Sequence, residues 1–125
     1  MKCNLARFSA LLIVVISCAF SAANADPSSM NAAAESMVTS IKTNAEAVSR
    51  NSEIYQWQRV DREVLRIAAD QSDLNRALTS DGSNAEVARE LDSDVKMLRA
   101  ASTNRDPAKT AGAAKLVSLD CARLK

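Results

Sequence analysis

The chain has 125 residues, with 16 Lys and Arg against 15 Asp and Glu, no histidine, two glycines and three cysteines. That length fits one domain, and mixed, near-balanced charge excludes the clustered basic face of a nucleic-acid binder and the polybasic tract of an anionic-lipid binder. Without histidine there is no Ser–His or Cys–His nucleophile pair, no histidine-ligated haem and none of the familiar zinc sites.

The first 25 residues have the three zones of an export signal. Lys2 and Arg7 give a positive start, Phe8 to Phe20 is an uncharged run, and Ala23-Asn24-Ala25 offers small residues to a signal peptidase. The apolar run falls short of the roughly 20 residues that a bilayer-crossing helix needs. Cleavage after Ala25 leaves a domain of residues 26–125 that is secreted or periplasmic. A second processing route competes with it: Val15-Ile16-Ser17-Cys18 resembles a lipobox, in which Cys18 is lipidated and becomes the new N-terminus. Membrane attachment is expected only through that route. Loss of Lys2 and Arg7 takes the basic count from 16 to 14 against 15 acids, a net charge of −1. Cys3 and Cys18 leave with the signal when cleavage follows Ala25, so Cys121 has no internal partner and no disulfide framework exists. Cys121 reads as a buried small residue, with an intermolecular disulfide in a homodimer as the alternative.

The mature region favours helix throughout, with few breakers and no alternating strand pattern. Helix one is expected to start after Ser28 or Ser29. Met30, Ala34, Met37, Ile41, Ala45 and Val48 form its apolar stripe at spacings of three and four. A break is expected at Arg50-Asn51-Ser52, with Ser52 capping a second helix; a continuous bend there is the alternative.

Helix two has the clearest stripe: Ile54, Trp57, Val60, Val64, Ile67, Gln71, Leu74 and Leu78, interrupted only by Gln71. Arg59, Glu63, Arg66, Asp70 and Asp73 mark a solvated opposite face. At about 28 residues this helix would be about 42 Å long and could project beyond its neighbours. Ser80-Asp81-Gly82 closes it, with Gly82 suited to the left-handed position past a helix end. Helix three opens on a capping-box spacing, Ser83 to Glu86. Its stripe is Val87, Leu91, Val95 and Leu98, with an Asp92–Lys96 pair on its surface. Thr103-Asn104-Arg105 ends it. Helix four starts at Asp106-Pro107, and Val117, Cys121 and Leu124 mark one edge of its apolar face, widened by Ala113, Leu116 and Leu119. No repeat of solenoid length appears.

The expected fold is all-α: a small antiparallel bundle of three to four helices. Chemistry is scarce. Glu86 with Glu90, and Asp70 with Asp73, share helical faces, but the aromatics and glycine loops of a sugar site are missing. Met30, Met37 and Met97, with Cys121, could suit a soft metal; core packing accounts for them more simply. No catalytic residue, cofactor or metal is expected. Trp57 lies on the stripe, and Tyr55, about 200° round the helix, could anchor a partner. The expected function is non-enzymatic binding of another protein, of inhibitor, immunity, adaptor or chaperone type. The alternative is an amphipathic lipid- or membrane-associated protein, with anchoring at Cys18 as one form of it.

Overall fold

The computed structural model describes residues 30–78 and 82–125. Among them the chain forms four helices and no strand: α1 (Ala32–Glu53), α2 (Trp57–Ala77), α3 (Ala85–Thr103) and α4 (Pro107–Arg123). The export signal over 1–25, its Cys3 and Cys18, the helix start at Ser28 or Ser29 and the Ser80-Asp81 stop all lie outside the described residues. Within them Asn31 caps α1, its Oδ1 accepting from the Ala34 amide at 2.8 Å.

The break between the first two helices falls later than expected. Ser52 is buried, and its hydroxyl donates to the Ser49 carbonyl at 3.0 Å, so it continues α1 instead of capping α2. Tyr55 takes the left-handed conformation at φ 60°. Its amide donates to Ser52 O at 3.2 Å, and that of Gln56 donates to Asn51 O at 2.9 Å. This is the Schellman closure of a helix, with tyrosine where glycine is usual. Ile54 therefore leaves the α2 stripe and faces solvent. α2 shortens to 21 residues, about 32 Å, so no long helix projects.

The α3–α4 turn uses the same closure. Arg105 sits at φ 54°, its amide donates to Ser102 O at 3.1 Å, and the Asp106 amide donates to Ala101 O at 3.2 Å. Asp106 then caps α4 through a 3.0 Å bond from the Lys109 amide, with Pro107 in the first turn, as the sequence leads one to expect. The start of α3 differs from expectation. Asn84 occupies the cap position without a side-chain capping bond. Its amide group is instead bonded to the last residue, donating to Lys125 O at 2.9 Å and accepting from Lys125 N at 3.0 Å. Neither glycine has a positive φ, so Gly82 does not fill the left-handed place expected of it.

α1 packs on α2 and α4, and α3 packs on α4 and more thinly on α2; the diagonal pairs do not meet. Ser40 bonds Asp70 at 2.7 Å while Asn51 bonds Glu63 at 2.8 Å, partners whose numbers run in opposite directions, so α1 and α2 are antiparallel. The centre is closed by Ile41, Val48, Val60, Ile67, Leu74, Leu91, Leu98 and Val117, all fully buried. Gln71 is buried among them, and its amide is satisfied by Asp92 Oδ1 at 3.1 Å. Asp92 is also paired with Lys96 at 2.8 Å, the expected surface pair; the hydrogen bonds from Lys96 and Gln71 hold its carboxyl below the usual range.

The bundle consists of two similar hairpins. A shift of fifty residues carries Ile41 onto Leu91, Ala45 onto Val95, Val48 onto Leu98, Ser52 onto Ser102, Ile67 onto Val117 and Leu74 onto Leu124, and all twelve are buried. The same shift carries Tyr55 onto Arg105, the two left-handed residues. Size class, spacing and turn geometry repeat although few residue identities do.

Candidate functional site

Among the described residues α4 touches only α1 and α3, yet its sequence is apolar over a wide arc: Ala108, Ala111, Gly112, Ala113, Ala114, Leu116, Val117, Leu119 and Ala122. Two neighbours cannot cover such a wide arc. Ala113, Ala114, Val117 and Cys121 are buried, but Leu116 is 42% exposed and Leu119 61% exposed, which corrects their expected place in the core. They join Ala108, Gly112 and Ala122, also exposed, in an outward apolar strip interrupted by Lys109 and Lys115.

A shallow groove flanks each side of the strip. Between α4 and α3, Met97, Ala100, Ala113 and Leu116 line one of about 460 Å³, with Lys109 and Asn104 at its rim. Between α4 and α1, Ala45, Ser49, Ala114 and Leu119 line one of about 400 Å³, with Glu46 and Lys115 alongside. Met97 is thus a surface residue, unlike Met30 and Met37, which pack against the core.

Gly112 sharpens the picture. A glycine inside a helix costs roughly 0.5–1 kcal/mol relative to alanine. A Cβ added to Gly112 would meet no other atom within 4 Å, so nothing inside the protein calls for the small residue. Its bare backbone leaves the floor of the α3–α4 groove open to approach from outside.

The aromatic residues are separated at the turn end of the bundle. Tyr55 is 67% exposed at the α1–α2 turn, next to exposed Ile54. Trp57 is half-buried against the core, and the Arg105 guanidinium lies over its ring at 5.3 Å from the centroid. Arg105 also holds Asp61 through two bonds of 2.6 and 2.9 Å, which keep the Asp61 carboxyl below its usual range. Trp57 thus serves to pin the two turns together, and of the expected pair only Tyr55 stands open to a partner.

Comparison with protein-family models, with curated proteins and with solved structures finds no match. The side chains are therefore read on their own chemistry. Of the acids singled out from sequence, Asp70 accepts from Ser40, Asp73 lies 3.7 Å from Arg76 at the surface, and Glu90 is paired with Arg123. Among the described residues no group of three acidic or cysteine side chains is placed to hold a metal. Cys121 is buried, and burial together with the neighbouring Asp120 charge pushes its thiol up to about 12. A disulfide to a second copy would require α4 to open first.

Asp120 is the polar residue that the sequence reading passed over. It is only 5% exposed, and its Oδ2 is buried without a hydrogen-bond donor among the described residues. The signal was present: Ala113, Val117, Asp120 and Leu124 step by four, three and four, placing an acid on the inward edge of α4. Among the described residues no helix is long and apolar enough to cross a membrane.

Proposed function

We propose that this chain is an exported, non-enzymatic binding domain whose outer α4 face docks on another protein. The observation that carries the reading is the strip of Gly112, Leu116 and Leu119 between two apolar grooves. Covering a Leu side chain fully is worth about 1.5–3 kcal/mol, and these two are already partly covered, so a partner would gain roughly 1–2 kcal/mol from each. A helix or strand with small apolar side chains fits the shallow floor, and acidic residues at its edges would meet Lys109 and Lys115. The leader-like residues 1–25 support a secreted or periplasmic setting, and the absence of histidine supports a role without turnover.

Site-specific photo-crosslinking in the native compartment tests the reading. A crosslinker at Leu119 or Leu116 is expected to trap one discrete protein species that a crosslinker at Leu65, exposed on α2, does not trap. Absence of that species, or its equal capture from Leu65, overturns the assignment of the face.

A further inference from the structure

The two hairpins treat one equivalent position in opposite ways. In the first hairpin Asp70 on α2 faces Ser40 and Asn44 on α1. Ser40 Oγ donates to Asp70 at 2.7 Å, and Asn44 donates to the Ser40 carbonyl at 2.9 Å. The shift of fifty residues maps Asp70 onto Asp120, Ser40 onto Glu90 and Asn44 onto Asp94. Acids stand in the place of both donors.

The consequence is visible at Asp120. Its Oδ2 is buried and has no donor among the described residues, while Asp94 on α3, standing where Asn44 stands in the first hairpin, brings a second carboxyl that raises its proton affinity. Glu90 adds a second negative charge from α3 but is itself taken up by Arg123. Arg123, one turn along α4, reaches Asp120 Oδ1 only at 3.4 Å. On the α1 side the charged neighbour is Lys42, whose field is felt at Cys121. α2 does not touch α4. Two carboxylates in this position repel in a partly desolvated setting; one proton between them turns repulsion into an O–H···O⁻ bond.

We propose that Asp94 and Asp120 share a single proton across the α3–α4 interface, so that this hairpin is held when the proton is present and loosens when rising pH removes it. The proton resides on Asp120, the more buried of the two, and is donated to the Asp94 carboxylate; on deprotonation it passes to water. Burial, Asp94 and Glu90 together raise Asp120 to about 7, which sets the response in the neutral range. The first hairpin, with Ser40 on Asp70, is the built-in control.

Carboxyl-carbon NMR titration of the full chain, with amide hydrogen-exchange protection followed from pH 5.5 to 8, tests the device. Asp120 is expected to titrate with a midpoint near neutral. Protection in α3 and α4 should fall at least tenfold more than in α1 and α2. Asp94→Asn, which copies Asn44, should lower the Asp120 midpoint and narrow the difference between the hairpins. A native Asp120 midpoint below 5, or equal loss of protection in both hairpins, overturns the proposal. So does an unchanged midpoint in Asp94→Asn. Should Asp94→Asn fail to fold, Asp120→Asn serves as the second variant, and a pH-dependent loss confined to α3–α4 that survives in it is equally fatal.

Discussion

Replacing Asp120 by asparagine should make stability nearly independent of pH across the range in which the native protein weakens. An unfolded aspartate loses its proton near 3.8, whereas Asp120 in the fold keeps it to about 7. Between those values the folded state binds more protons, so its stability falls as pH rises. The contribution is complete below 3.8 and is lost as pH passes through 7. One pKa unit is worth about 1.4 kcal/mol, so a displacement of roughly three units sets an upper bound of about 4 kcal/mol. Some two of those units lie between pH 5 and pH 8, or at most about 3 kcal/mol. The Arg123 contact and local relaxation reduce that figure. Urea denaturation at pH 5 and pH 8, monitored by circular dichroism, measures it. Asp120→Asn keeps a donor toward Asp94, and should match or exceed the native protein at pH 8 while losing most of the difference between the two pH values. A native protein equally stable at both, or a variant that retains the full difference, would refute the reasoning.

Other expectations follow from single positions. Thr110 is fully buried, its hydroxyl has no partner among the described residues, and its counterpart in the first hairpin is Val60; Thr110→Val should raise stability by about 1 kcal/mol in the same urea assay. Tyr55 has φ 60° with its side chain exposed, so Tyr55→Gly should relieve about 1 kcal/mol of left-handed strain and raise the melting temperature by a few degrees. Gly112→Ala should stabilise the fold by roughly 0.5–1 kcal/mol, yet weaken capture of a partner, a combination that a purely structural glycine would not show. Cys121, buried and with its thiol pushed up, should resist alkylation in the folded protein and react readily in urea, as read by peptide mass.

The helices were legible because their stripes are long and their punctuation is strong. Val60, Val64, Ile67 and Leu74 fall on one face at 3.6-residue spacing, and all are buried. Asp106-Pro107 marked its boundary for the same reason: acceptor and missing amide both suit a first turn. Misplaced boundaries arose where one residue had two competent roles. Ser52 suits a helix cap, but its burial commits it to the end of α1. Ser83 and Glu86 spell a capping box, but Asn84 takes the cap position and its side-chain amide is bonded to Lys125, forty-one residues away. The left-handed positions fell to Tyr55 and Arg105 because turn geometry at the end of each hairpin outweighed residue preference. The exposed face of α4 could not be read from its composition, since a helix apolar over a wide arc looks central until its neighbours are counted. Nor could the likeness of the two hairpins be read, since the equivalent core positions share burial and little identity.

Co-purification of the full chain from its native compartment, compared among the native protein, Leu116→Glu/Leu119→Glu and Leu65→Glu, tests the central claim most directly. All three should melt alike, because the substituted side chains point to solvent, and only the α4 double variant should lose the species trapped by crosslinking at Leu119. Retention of that species by the double variant, or its loss from Leu65→Glu as well, would contradict a docking surface on α4.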